Sequence, residues 1–180
     1  MNTRGFTLIE TMVAITVLAL ALTGPFVAVQ NALRAAYTAR DQLTASSLAQ
    51  EGLEYVRSIR DNNYLASPQR NFMDGLSGYS CYGATPSTYC TLDPTRGDVH
   101  TAPTAVEVCA SPESCEKLYL SSNHLYNQQA EGTPTRFTRV VQFKPVGGSS
   151  TEVEVIIQVF WMTGIQQYSI TVTDILHDWI

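Results

Sequence analysis

The sequence predicts an α+β protein in which one long N-terminal α-helix packs on a C-terminal antiparallel β-sheet. An uncharged apolar run over residues 11–33 predicts the first half of the helix, because it is long enough to cross a bilayer. The sheet is predicted by residues 137–144, 152–161 and 166–173, in which apolar and polar side chains alternate with a period of two. Glycine-containing turns separate these three segments, so we expect an antiparallel meander.

Length and composition are consistent with this architecture. The chain has 180 residues, of which 44% are hydrophobic and 15% charged, so we expect one membrane helix, one modest head domain and no long disorder. The formal net charge of −5 at pH 7 argues against a nucleic-acid-binding surface, which usually needs a basic stripe.

Two features stand out in the apolar half of the helix. Glu10 precedes the uncharged run, and a carboxylate near the end of a membrane helix is costly, so we expect it to have a functional partner. The alternative is a snorkelling side chain just outside the lipid. Gly24 and Pro25 interrupt the run, and because proline lacks a backbone N–H we expect a kink or a loosened helix there. A tolerated transmembrane proline is the alternative.

The second half of the helix carries a stripe with spacings of three and four residues, which predicts a face laid against the sheet. Its members are Ala32, Ala36, Ala39, Leu43, Ser46, Ala49, Leu53 and Val56. Glu54 and Arg57 are three residues apart and can pair across one turn on the solvated face. We expect the helix to end near Arg60, where Asp61, Asn62 and Asn63 favour a cap or turn.

The middle of the chain is rich in turn signals and contains all four cysteines, Cys81, Cys90, Cys109 and Cys115. An even count in an exported chain is typical of disulfides, and four cysteines allow three pairings. We expect the nearest-neighbour pairing, with four free thiols as the alternative. Short strands are expected near residues 104–109 and 117–120.

No catalytic or metal-binding motif is present in the sequence. There is no phosphate-binding loop, nucleophile elbow or zinc motif, and the histidines His100, His124 and His177 are scattered. Asp174 and Asp178 flank His177 closely in sequence, but we expect surface or capping roles for them. We therefore predict no enzyme, no cofactor and no metal.

Residues 5–10, GFTLIE, follow a short basic leader that ends in Arg4. This arrangement resembles the class III signal of type IV pilins and pseudopilins. The resemblance implies that a prepilin peptidase cleaves between Gly5 and Phe6 and methylates the Phe6 amine. It also implies a pilin-like fold, and a role for Glu10 in assembly through the terminal ammonium of a neighbouring subunit. Residues 45–57 resemble the helix of minor subunits of the V or I type.

Combined with this resemblance, the sequence predicts five segments: a leader at 1–5, a transmembrane or filament-core half-helix at 6–30, and a soluble amphipathic half-helix at 31–61. A variable region with disulfides at 62–132 and the sheet at 133–180 follow.

The resemblance implies a minor structural subunit of a type IV pilus or related filament. Its expected partners are prepilin peptidase, other pilin or pseudopilin subunits, the assembly platform and the bacterial inner membrane, with DNA or a surface ligand left open. The head is expected outside the cytoplasm, and later in an extracellular or periplasmic filament. The alternatives are a minor pseudopilin of a type II secretion system, or a membrane-anchored or conventionally exported binding domain cleaved near Ala21.

Overall fold

The computed structural model describes residue 5 and residues 7–178. It divides into two compact units, Met1–Gln42 and Leu43–Ile180. One helix, α1, runs from Leu8 to Leu65 and contributes to both units. The predicted long N-terminal helix and C-terminal antiparallel sheet are therefore confirmed.

The helix is longer than predicted, because Asn63 has a different role from the expected cap. Asn63 is buried, and its amide nitrogen donates to the carbonyl oxygens of Phe72 and Asp74 at 3.3 and 2.9 Å. Its Oδ1 lies 2.7 Å from Nε2 of His100. The side chain thus binds the segments that follow the helix, and its own backbone stays helical.

The main sheet has five strands, and every neighbouring pair is antiparallel. Their order across the sheet is β2 (Val106–Cys109), β1 (Tyr89–Leu92), β6 (Phe137–Pro145), β7 (Glu152–Thr163) and β8 (Gln166–His177). The predicted meander corresponds to β6 (Phe137–Pro145), β7 (Glu152–Thr163) and β8 (Gln166–His177). Strand β8 extends past the predicted end at residue 173, because Asp174 finds a cationic partner in Arg57 and Leu176 is buried.

The middle region contributes more strand than predicted. β1 (Tyr89–Leu92) was not expected, because Cys90, Thr91 and Leu92 are all buried and so show no alternation. β2 (Val106–Cys109) and β3 (Tyr119–Leu120) fall within the expected segments. With β4 (Tyr126–Asn127) and β5 (Thr133–Pro134), β3 forms a second, three-stranded sheet.

At its N-terminal end, the buried face of the helix consists of different residues from those of the predicted stripe. Ala49, Leu53 and Val56 are buried as expected, but the face begins at Ala45 and Leu48, whereas Leu43 is 71% exposed. Between Ala45 and Ile59, the buried residues of this face recur at spacings of three and four. The residues at positions 45, 49 and 52 on this face are small and buried.

Arg139, the third residue of β6, joins the helix to the sheet from inside the core. It is 1% exposed. Its Nη1 donates to the carbonyl oxygen of Leu48 at 3.0 Å and to Oε2 of Glu51 at 2.7 Å, and its Nη2 donates to the carbonyl oxygen of Leu92 at 2.8 Å. A buried guanidinium is tolerated only when it is paired in this way. One side chain therefore holds α1, β6 and β1 together.

Gly52 makes room for this arginine. A Cβ at position 52 would lie 3.1 Å from Cδ of Arg139 and 3.3 Å from Cδ1 of Ile157. Any side chain at this position would require the side chains of Arg139 and Ile157 to shift. The Gly52 position and the buried arginine therefore depend on each other.

We expect Arg139→Ala to lower the free energy of unfolding by about 2–4 kcal/mol, since it removes three hydrogen bonds and leaves a cavity. Arg139→Met should cost less, because it fills the volume and Glu51 can turn to water. Thermal unfolding of the full chain in detergent, followed by near-ultraviolet circular dichroism, measures both. Lys144→Ala, on the same strand, is the control and should stay within about 0.5 kcal/mol of wild type. A wild-type result for Arg139→Ala would show that the buried contact contributes nothing.

Candidate processing and assembly site

The N-terminal segment presents its signal residues at the start of α1. Gly5 is exposed, and Phe6, the predicted methylation site, lies outside the described residues. Thr7 precedes the helix, and its hydroxyl and carbonyl oxygens both accept from the backbone N–H of Glu10, at 3.3 and 3.1 Å. This capping lets the helix begin two residues after the predicted cleavage position.

Glu10 lies in the first turn of α1, where the positive end of the helix dipole favours an acidic side chain. Its side chain is exposed, and within residues 7–178 no ion pair with it is found. Its pairing with the Phe6 amine of a neighbouring subunit stays a prediction.

The apolar half of the helix is exposed on all sides. An 18-residue window of α1 has a mean hydropathy of 2.3, and none of it is buried within the chain. By length and composition the helix can cross a membrane. The hydroxyl groups of Thr11, Thr16 and Thr23 donate to the carbonyl three residues earlier, at 2.8–2.9 Å. These three hydroxyl groups are therefore satisfied without water.

The expected helix break at Gly24 and Pro25 is not seen in the isolated chain, in which α1 runs continuously through both residues. Pro25 has no N–H, so the carbonyl oxygen of Ala21 lacks its normal helical donor. A loosening at this point on assembly stays a prediction.

The head carries two disulfides, Cys81–Cys90 and Cys109–Cys115, with Cα atoms 5.7 and 5.1 Å apart. These are the nearest-neighbour pairs. The first ties the segment after the helix to β1, and that segment also bonds to β6, because the N–H of Phe143 donates to the Cys81 carbonyl at 2.9 Å. The second closes a loop immediately after β2. Together they stabilise the part of the head that has the least regular structure.

Charged and phenolic groups along the C-terminal part of α1 bind the head and do not form a catalytic cluster. Arg57 donates to Asp174 at 2.8 Å and also pairs with Glu54, and these carboxylates raise the pKa of the guanidinium. Burial, together with Asp93 and Asp98, raises the pKa of Tyr55 to about 12, so its hydroxyl stays protonated and donates to the Gly97 carbonyl.

His177 pairs with Glu152 at 3.3 Å on the surface, so Asp174 and His177 have separate partners. Among the residues that the structure describes, no group of three or more His, Cys, Asp or Glu side chains could hold a metal ion.

Comparison with known families identifies the N-terminal segment. Residues 1–24 match the family model of the prokaryotic N-terminal methylation motif. The chain carries the class III prepilin signal of type IV pilins and pseudopilins. No curated protein and no solved structure gives a significant match.

With the pilin-like α+β fold, this signal indicates a structural, non-enzymatic subunit that is processed by prepilin peptidase and assembles with other pilin subunits. It places the chain first in the inner membrane and then in a filament. Sequence reasoning located this signal completely. It assigned no contact to Arg139.

Proposed function

We propose that the chain is a minor subunit of a type IV pilus or a related filament. The proposal rests on one observation. The class III signal, which includes Glu10, is followed directly by an apolar helix whose surface the rest of the chain does not bury. Lipid covers this surface before assembly, and the helices of other subunits cover it afterwards.

Processing changes the charge at the start of the helix. Cleavage between Gly5 and Phe6 removes the leader with Arg4 and creates an α-amine at Phe6. In hydrocarbon an isolated ammonium and an isolated carboxylate are each costly, but together they are much less so. The Phe6 amine of one subunit and Glu10 of its neighbour therefore pair, and this contact sets the axial register of the filament.

The head supports a minor subunit over the bulk one. Its region between the helix and β6 is long, irregular and closed by two disulfides, and such regions are often functional. A minor pseudopilin of a type II secretion system would use the same signal and helix, and the neighbouring genes distinguish the two systems. Conventional export with cleavage near Ala21 would leave Glu10 without a role.

We expect Glu10→Gln to leave membrane insertion and leader cleavage unchanged but to reduce incorporation into filaments at least tenfold. The amide keeps the size of the side chain and loses the charge that the neighbouring amine requires, and about 1.4 kcal/mol corresponds to a factor of ten. Quantitative immunoblots of sheared filaments against whole membranes measure incorporation. Glu54→Gln, on the exposed face of the same helix, is the matched control. Wild-type incorporation of Glu10→Gln would contradict the register contact.

We expect Gly5→Leu to block leader removal, because a bulky side chain at the residue before the cut prevents the peptidase from closing on it. Gly5→Ala should retain part of the cleavage. Mass spectrometry of the N-terminal fragment, with and without co-expressed prepilin peptidase, gives the cleaved fraction. Cleavage of Gly5→Leu at the wild-type rate would exclude this peptidase.

A further inference from the structure

Strand β8 forms one edge of the main sheet and leaves that edge open. Among residues 7–178, its backbone hydrogen bonds to other strands go to β7 alone. Because an antiparallel strand bonds to its two sides through alternate residues, about half of its N–H and C=O groups have no strand partner. The strand is twelve residues long, and residues 166–173 include no charged residue and no proline. The features that usually protect a long edge are therefore missing from most of its length.

The opposite edge of the same sheet is protected. Strand β2 has only four residues and carries Glu107, and a disulfide from its last residue, Cys109, to Cys115 closes a loop beside it. Short and charged edge strands pair poorly with other chains. The open edge of this sheet is therefore β8.

The side chains of β8 that face the core are only half buried. Tyr168, Ile170 and Val172 are partly exposed and pack against the core from its margin. Their partners on β7 include Val159 and Ile157, which are 0% exposed. A further strand beside β8 would cover the remaining surface of the three side chains and also bond to the open backbone groups. The edge thus fits an extended segment with apolar side chains on alternate residues.

We propose that this edge pairs with β8 of a second copy of the chain, because the strand is complementary to itself. Antiparallel pairing centred on Ile170 brings the two Ile170 side chains together and places Tyr168 of each copy opposite Val172 of the other. On the opposite face, Ser169 of each copy lies opposite Thr171 of the other. Aromatic pairs with β-branched residues and pairs of hydroxyl side chains both stabilise neighbouring strands.

The charges on the strand are compatible with this register. Asp174 is the one charged residue among residues 166–174, and it lies opposite the neutral Gln166 of the other copy. It also keeps its own partner, Arg57. No like charges therefore face each other. The pairing is isologous and closes at two copies, so it does not by itself build a filament, and it goes beyond the proposed function.

Cross-linking of introduced cysteines in the full chain in detergent tests the register. The four native cysteines form two disulfides, so an introduced cysteine supplies the free thiol. We expect Ile170→Cys to give a disulfide-linked dimer on mild oxidation, because directly opposite Cα atoms lie about 4.5–5.5 Å apart, within reach of a disulfide.

Thr173→Cys, on the same strand, is the matched control. In this register Thr173 lies opposite Gln167, so two thiols at position 173 are about 20 Å apart and should not cross-link. Gln167→Cys alone should not cross-link either, for the same reason. A mixture of the Gln167→Cys and Thr173→Cys chains should cross-link, since these two positions face each other.

Sedimentation equilibrium of the full chain in density-matched detergent measures the dimer without a cross-link. Ile170→Lys places two ammonium groups opposite each other and removes the apolar pair, so we expect about tenfold weaker association. Thr173→Lys, which faces the neutral Gln167, is the matched control and should associate like wild type. Circular dichroism reports whether each variant is folded.

A wild-type chain that stays monomeric at about 100 µM, where weak interfaces are populated, would overturn the inference. So would the absence of a cross-link in Ile170→Cys. Association that Ile170→Lys does not weaken would assign the dimer to another surface, such as the apolar helix, and would also overturn it. Slower amide exchange of β8 only when a different pilin subunit is added would assign the edge to that subunit and not to a second copy.

Discussion

The apolar surface of residues 8–33 needs an environment other than water, and the rest of the molecule is arranged around that need. A single helix cannot bury its own sides, and no part of this window is covered within the chain. The surface therefore requires lipid or other helices. A structural subunit that moves between a membrane and a filament meets the requirement in both places, and the satisfied threonine hydroxyls suit both environments.

The second half of the same helix has a different role. It holds the folded head, whereas the first half contacts lipid or other helices. Arg139 lies against Gly52 of this half, and its guanidinium pairs with Glu51. Further along, Arg57 and Asn63 bind β8 and the segments after the helix. Several polar contacts as well as apolar packing therefore connect this half of the helix to the rest of the head.

Much of this architecture could be predicted because it is encoded locally. The meander follows from alternation within each strand, and the signal follows from ten consecutive residues. The start of the helix stripe was predicted incorrectly. Leu43 and Ala45 differ little as sequence signals, and only packing on the sheet determines which of them is buried. β1 was missed because both of its faces are buried, and the role of Arg139 depends on carbonyl groups 47 and 91 residues away.

The most direct test of the central claim is the intact mass and N-terminal fragment spectrum of the protein isolated from its native membranes. The account predicts a chain that begins at Phe6 and carries one additional methyl group on its amine. A chain that begins shortly after Ala21 would make this a conventionally exported protein without a membrane helix, and the assignment to a filament subunit would be wrong.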